Sequence, residues 1–177
     1  MNKKGIFIGI KRKLSHLFFG SKKTNERWVA SFAKNVHNKK ILEIGSGDSE
    51  HYSLKRCFDD TNEFIQSDIN PSFGRKIVDV RNIKEKNEYD VIICIAVMEH
   101  VFENTKALDS LYKALKKGGT LLVTFIFMKP LHLEPYDYWR YTEHGVRKLL
   151  EPYTDIKIKT IGWARELAQS YCVEAVK

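Results

Sequence analysis

The sequence lacks the marks of several large protein classes. It has only three cysteines, Cys57, Cys94 and Cys172. An odd number without metal-ligand spacing argues against a disulfide-stapled scaffold and fits reduced thiols in a cytoplasmic protein. No stretch reaches the ~18–20 uninterrupted apolar residues that a membrane-spanning helix needs. The apolar patch from Ile6 to Ile10 is broken at once by Lys11, Arg12 and Lys13, so no secretory leader is expected. Repeats and low-complexity linkers are missing too. With 177 residues, 43% of them hydrophobic, one domain is expected.

Charge is plentiful but uneven. Residues 1–40 hold 11 basic residues against one acid, Glu26, a net +10; the other 19 basic and 21 acidic residues net −2. Residues 1–27 therefore read as a basic leader and 28–177 as one domain. Ile6, Ile10, Leu14, Leu17 and Phe18 recur at helical spacing among the lysines. Several readings stay open: a solvated leader, an amphipathic helix packed on the domain or on a membrane through residues 1–20, or an arm for nucleic acid or an acidic partner.

Beyond the leader, apolar periodicity predicts a helix over 28–36, then strands at 40–44, 63–67, 76–80, 89–96 and 120–127. Helices are predicted over 49–58 and 103–117, the second stopped by Gly118 and Gly119. Thr142 caps a predicted helix over 143–151. Strands over 155–161 and 171–176 are joined too closely for a helical crossover, so they form an antiparallel hairpin. Alternating strand and helix implies an α/β domain: a Rossmann-like, doubly wound, mostly parallel sheet, with its ligand loops along one edge.

The informative segment is Glu43-Ile44-Gly45-Ser46-Gly47 at the end of the first strand. Glycines there let the backbone turn sharply and approach a ligand. Asp68 ends the next strand 21 residues after Gly47, as suits a carboxylate on ribose hydroxyls. A dinucleotide would lay its pyrophosphate on the following helix. Asp48 and Glu50 stand there instead, which disfavours phosphate and accommodates a cationic sulfonium.

ILEIGSGDSE (41–50), QSDINP (66–71), VDV (78–80), YDVIICIAVMEHV (89–101) and LYKALKKGGTLLVTFIF (111–127) together resemble the successive motifs of class I S-adenosylmethionine-dependent methyltransferases of the type 11 group. The resemblance implies a seven-stranded sheet and S-adenosyl-L-methionine as cofactor. It places Glu43, Gly45, Ser46 and Gly47 under the methionine part, Asp68 on the ribose and Ile69 on the adenine. It puts Asp79 on the adenine amino group, Val80 beside it, and Ile95 and Ala96 at the methionine end. The connection from Asp68 to Lys76 departs from the pattern, being too short for a crossover helix.

The acceptor side is read from two segments. Glu99-His100 follows the fourth strand, and KPLHLEPYDYWRYTEH (129–144) follows the fifth. Candidate proton acceptors are His132, Tyr138 and His100; candidate acceptor contacts are Tyr136, Trp139 and Arg140. A packed plug is the plain alternative for the second segment. His132, Glu134 and His144 match no helix-borne ligand pair, so no metal is expected. YDYWRYT (136–142) resembles a segment of one subset of type 11 methyltransferases, some tied to polysaccharide or glycolipid pathways, and the resemblance implies a small-molecule or glycan-like acceptor, such as a sugar or glycolipid precursor. An RNA methyltransferase and an inactive binding module remain as alternatives.

Overall fold

A computed structural model describes residues 22–48, 53–162, 164 and 166–177. The apolar stripe from Ile6 to Phe18, and the contacts suggested for residues 1–20, lie outside these residues. Helix α1 (Lys22–Ala33) leads into β1 (Lys40–Ile44), β2 (Glu63–Asp68), β3 (Lys76–Ile77) and β4 (Tyr89–Cys94). Then come α2 (Asn104–Ala114), β5 (Leu115–Ile126), α3 (Glu143–Leu149), β6 (Thr154–Gly162) and β7 (Ala168–Val176). The seven strands form one sheet, ordered β3-β2-β1-β4-β5-β7-β6. Strands β1 to β5 pair in parallel, whereas β7 runs antiparallel to both β5 and β6. The Rossmann-like sheet and C-terminal hairpin expected from the sequence are present.

Continuous apolar runs make the central strands because both faces are covered. Leu42, Ile92, Leu121 and Val123 point into one core with Leu108 and Leu111 of α2 and Val146 of α3. Ile41, Val91, Ile93 and Leu122 point the other way, onto Trp28, Val29 and Ala33 of α1. Each Val, Leu or Ile among them contributes about 1.5–3 kcal/mol when fully buried. No helix of the described residues is long and apolar enough to cross a membrane.

Several boundaries differ from expectation. Helix α1 starts at Lys22 rather than Trp28, crossing the leader boundary drawn at residue 27. Helix α2 ends at Ala114, and Gly118 and Gly119 lie inside β5 rather than at a helix stop. Tertiary pairing explains this: Leu115 sits opposite Tyr89, and the register then shifts. A Cβ on Gly119 would stand 2.9 Å from the Lys116 carbonyl oxygen and 3.1 Å from that of Asp90. Strand β3 spans two residues, because the Asp79 carboxylate accepts from Arg81 N and starts a 3-10 turn over Val80–Asn82. Of the helix expected over 49–58, the described part holds one 3-10 turn, Lys55–Cys57; residues 49–52 lie outside the described residues. Thr142 caps α3 as expected, accepting from Gly145 N.

Candidate active site

The turn after β1 is built by its glycines and pinned to β2. Gly45 and Gly47 have φ of 74° and 72°, a region costly for other residues. Ser46 N and Oγ both donate to the Ser67 carbonyl, at 3.0 and 3.2 Å. Gly47 N donates to Asp68 Oδ2 at 3.1 Å, and Asn70 N donates to Asp68 Oδ1 at 2.9 Å. Two backbone bonds thus orient the Asp68 carboxylate, and each oxygen retains a lone pair for a ligand. Glu43 is buried behind the turn: it accepts from Ser53 Oγ and Leu54 N, both at 2.7 Å. Its role is to tie the returning chain to β1.

A cavity of about 870 Å³ opens beyond the ends of β1, β2 and β4. Gly45, Asp68, Ile69, Asp79, Val80 and Ala96 all line it. Ile69 stands at the rim, 62% exposed. A Cβ on Gly45 would meet Val97 Cγ2 at 2.6 Å, so the absent side chain keeps that wall open. Asp79 is held by a fork: Arg81 Nε donates to Oδ1 at 3.0 Å and Nη2 to Oδ2 at 2.7 Å. These bonds hold the Asp79 carboxyl below the usual carboxylate range, against the opposing effect of burial. Glu43, Ser46 and Gly47 support the turn without lining the cavity. Ile95 packs into the core beneath α1 instead of facing the cavity, because alternate residues of a strand point to opposite faces.

The aromatic segment after β5 closes the other side. Tyr138 N and Trp139 N both donate to the Glu99 carbonyl, at 2.9 and 3.2 Å. Tyr141 Oη donates to the Met98 carbonyl at 2.8 Å. Tyr136, Tyr138 and His100 line the cavity together with Phe102. Trp139 and Arg140 do not. The Trp139 ring stacks on Phe102 and its Nε1 donates to the Phe102 carbonyl. Arg140 grips Asp137 through two 2.7 Å bonds and donates to the Lys129 carbonyl, which holds the Asp137 carboxyl well below its usual range. Both residues shape the loop.

His132 stands behind His100, with ring centroids 4.9 Å apart. Between them and the core lies Glu99, fully buried. Sequence reasoning missed Glu99, Phe102 and Val97 as site residues; the Glu99-His100 pair was the available signal for this wall.

The sequence model of a family described as "Methyltransferase domain" matches residues 19–154. No curated protein sequence matches. Among solved structures, a SAM dependent methyltransferase from Archaeoglobus fulgidus is similar at TM-score 0.67 and 16% identity, over 94% of this chain and 99% of that one. The CurJ carbon methyltransferase matches at TM-score 0.67 and 18% identity, over 92% of this chain. The present chain spans 57% of that larger chain. The 1,6-didemethyltoxoflavin-N1-methyltransferase of Burkholderia thailandensis, solved with 1,6-didemethyltoxoflavin and S-adenosylhomocysteine, matches at TM-score 0.63 and 14% identity, over 88% of this chain and 79% of that one. At these identities the likeness is one of fold.

Proposed function

The chain belongs to the methyltransferase domain family, and from that premise we propose that it transfers a methyl group from S-adenosylmethionine to a small or medium-sized acceptor. The observation that carries the cofactor assignment is Asp68: a carboxylate at the end of β2, oriented by two backbone N–H groups and facing the cavity opened by Gly45. Asp68 would hold the ribose hydroxyls, Ile69 and Val80 the adenine faces, and the Gly45 turn the methionine part. Asp79 reaches the adenine amino group only through lone pairs that Arg81 leaves free. When bound, S-adenosylmethionine supplies an already activated methyl group. The chain's own task is to align the acceptor and exclude water.

Tyr136, Tyr138 and Phe102 rim the acceptor end, and Tyr136 and Phe102 are 62% and 65% exposed. Tyrosines offer an apolar face with a polar tip. That supports a partly polar acceptor such as a sugar or glycolipid precursor. Of the candidate proton acceptors, His100 and Tyr138 line the cavity and His132 does not. The net +10 of residues 1–40 favours a second reading, RNA as acceptor.

The test is label transfer from methyl-tritiated S-adenosylmethionine into small-molecule, lipid-linked and RNA fractions. The expected result is label in a small-molecule or lipid-linked fraction, abolished by Asp68→Ala. Label in RNA alone, lost when residues 1–21 are removed, would establish the second reading. Cofactor binding without transfer to any fraction would leave a binding module.

A further inference from the structure

We propose that Glu99, His100 and His132 form a binding site for one divalent transition-metal ion at the acceptor end of the cavity. Glu99 is 0% exposed, and neither of its carboxylate oxygens receives a hydrogen bond. A buried carboxylate without a partner costs several kcal/mol, so this arrangement calls for a cation. Arg140, whose charge is felt at Glu99, is committed to Asp137.

The two imidazoles are turned to serve the same cation. His100 Nδ1 lies 2.8 Å from the Tyr136 carbonyl oxygen. A carbonyl only accepts, so Nδ1 carries the proton and Nε2 presents a lone pair. His132 Nδ1 lies 3.1 Å from the Pro130 carbonyl oxygen and 3.1 Å from Asp137 Oδ2, which fixes the same tautomer. His132 Nε2 is buried and has no hydrogen-bond partner. Both Nε2 atoms stand 3.8 Å from Glu99 Oε1. That is too long for a hydrogen bond, and two neutral nitrogens would face the carboxylate lone pair to lone pair.

The three donor atoms lie within 4.8 Å of one another. Bonds of ~2.0–2.2 Å to one ion bring such donors to ~3–3.5 Å, so the set closes with shifts of roughly 0.3–0.8 Å on the two Glu99–histidine legs and at most about 1–2 Å between any two donors. Each ring's other nitrogen is already held by an oxygen, the support that metal-bound histidines use. Two imidazoles and one carboxylate suit Zn²⁺, Fe²⁺ or Co²⁺ rather than Mg²⁺ or Ca²⁺. Three protein ligands leave positions open. Because His100 lines the cavity, the fitting external ligand is an acceptor hydroxyl oxygen. That acceptor role rests on the methyltransferase reading; the ion site does not.

The test is a titration of chelator-stripped, full-length protein with Co²⁺, followed by visible d–d absorption. The expected result is one equivalent bound, displaced by Zn²⁺, and weakened at least ~100-fold by His132→Asn or Glu99→Gln. Catechol, a simple hydroxyl ligand, should then perturb the band. A band that does not saturate at one equivalent, wild-type affinity in folded His132→Asn, or a thiolate charge-transfer band overturns the site; an unmoved band with catechol overturns its acceptor role. Should Glu99→Gln fail to fold, His132→Asn decides alone, since its side chain is 23% exposed. S-adenosylhomocysteine binding is measured on the same samples. Nucleoside binding without Co²⁺ sinks the metal site, and Co²⁺ without the nucleoside sinks the cofactor reading.

Discussion

Gly45→Ala is the sharpest test of how the cofactor turn works. The residue sits at φ 74°, where an L side chain costs about 1–2 kcal/mol. Its new Cβ would stand 2.6 Å from Val97 Cγ2, against an optimum of ~3.5–4.0 Å for carbon pairs. Val97 must therefore move by about 1 Å, and its β-branched side chain has few alternative rotamers. Because Val97 lines the cavity, the displaced methyl takes space from the ligand. The combined stability loss is about 2–3 kcal/mol, a melting temperature ~5–10 °C lower for a chain of this size. Affinity for S-adenosylhomocysteine, measured by calorimetry, should fall more than ~10-fold. Adding Val97→Ala should restore part of the affinity but leave the backbone strain, giving a clear coupling energy. An unchanged melting temperature and affinity in Gly45→Ala, or no recovery in the double variant, would refute the argument.

Other outcomes follow from the same geometry. Glu43→Ala strands Ser53 Oγ and Leu54 N beneath the turn; at roughly 1–3 kcal/mol per unsatisfied buried group, urea denaturation should show a loss of about 3 kcal/mol, and a change below ~1 kcal/mol would contradict the assigned tie. Tyr141→Phe removes the bond to the Met98 carbonyl and should cost about 1 kcal/mol, with faster proteolysis of the 128–141 loop; equal cleavage rates would sink that anchor. Burial pushes the Cys172 thiol up to about 12 and the Cys94 thiol higher still. At pH 8 a thiol reagent should label at most Cys57 in the folded protein and all three cysteines in urea. Rapid native labelling of Cys94 would show that the core opens more readily than its packing implies.

The sheet was legible where burial is two-sided. Runs such as Val91 to Cys94 have no competing helical period, and β1, β2 and β4 stand within two residues of the expected places. Legibility failed where pairing overrides local signal. Gly118 and Gly119 read as a helix stop, yet they let β5 begin at Leu115 and pass close to the Asp90 carbonyl. The Asp79 side chain cuts β3 short by capping the next turn, an event that strand propensity does not register. Within the site, Gly45, Asp68, Ile69, Val80 and Ala96 were readable because they sit at strand ends in motif order. The meeting of Glu99 with His132, each in its own candidate segment, was not. They are 33 residues apart in sequence, and tertiary bonds bring the loop across, from Tyr138 N and Trp139 N to the Glu99 carbonyl, from Tyr141 Oη to that of Met98 and from Trp139 Nε1 to that of Phe102. Trp139 and Arg140 looked like acceptor contacts from composition alone, which cannot distinguish a loop's internal clamp from its outer face.

The most direct test of the central claim is thermal stabilisation by S-adenosylmethionine, S-adenosylhomocysteine and NAD, on wild type and on Asp68→Ala. At ~100 times its dissociation constant a ligand stabilises by ~2.7 kcal/mol, a rise of ~5–10 °C here. The account predicts that rise with both sulfur nucleosides, none with NAD, and its loss in folded Asp68→Ala. Stabilisation by NAD alone, or by none of the three, would contradict it.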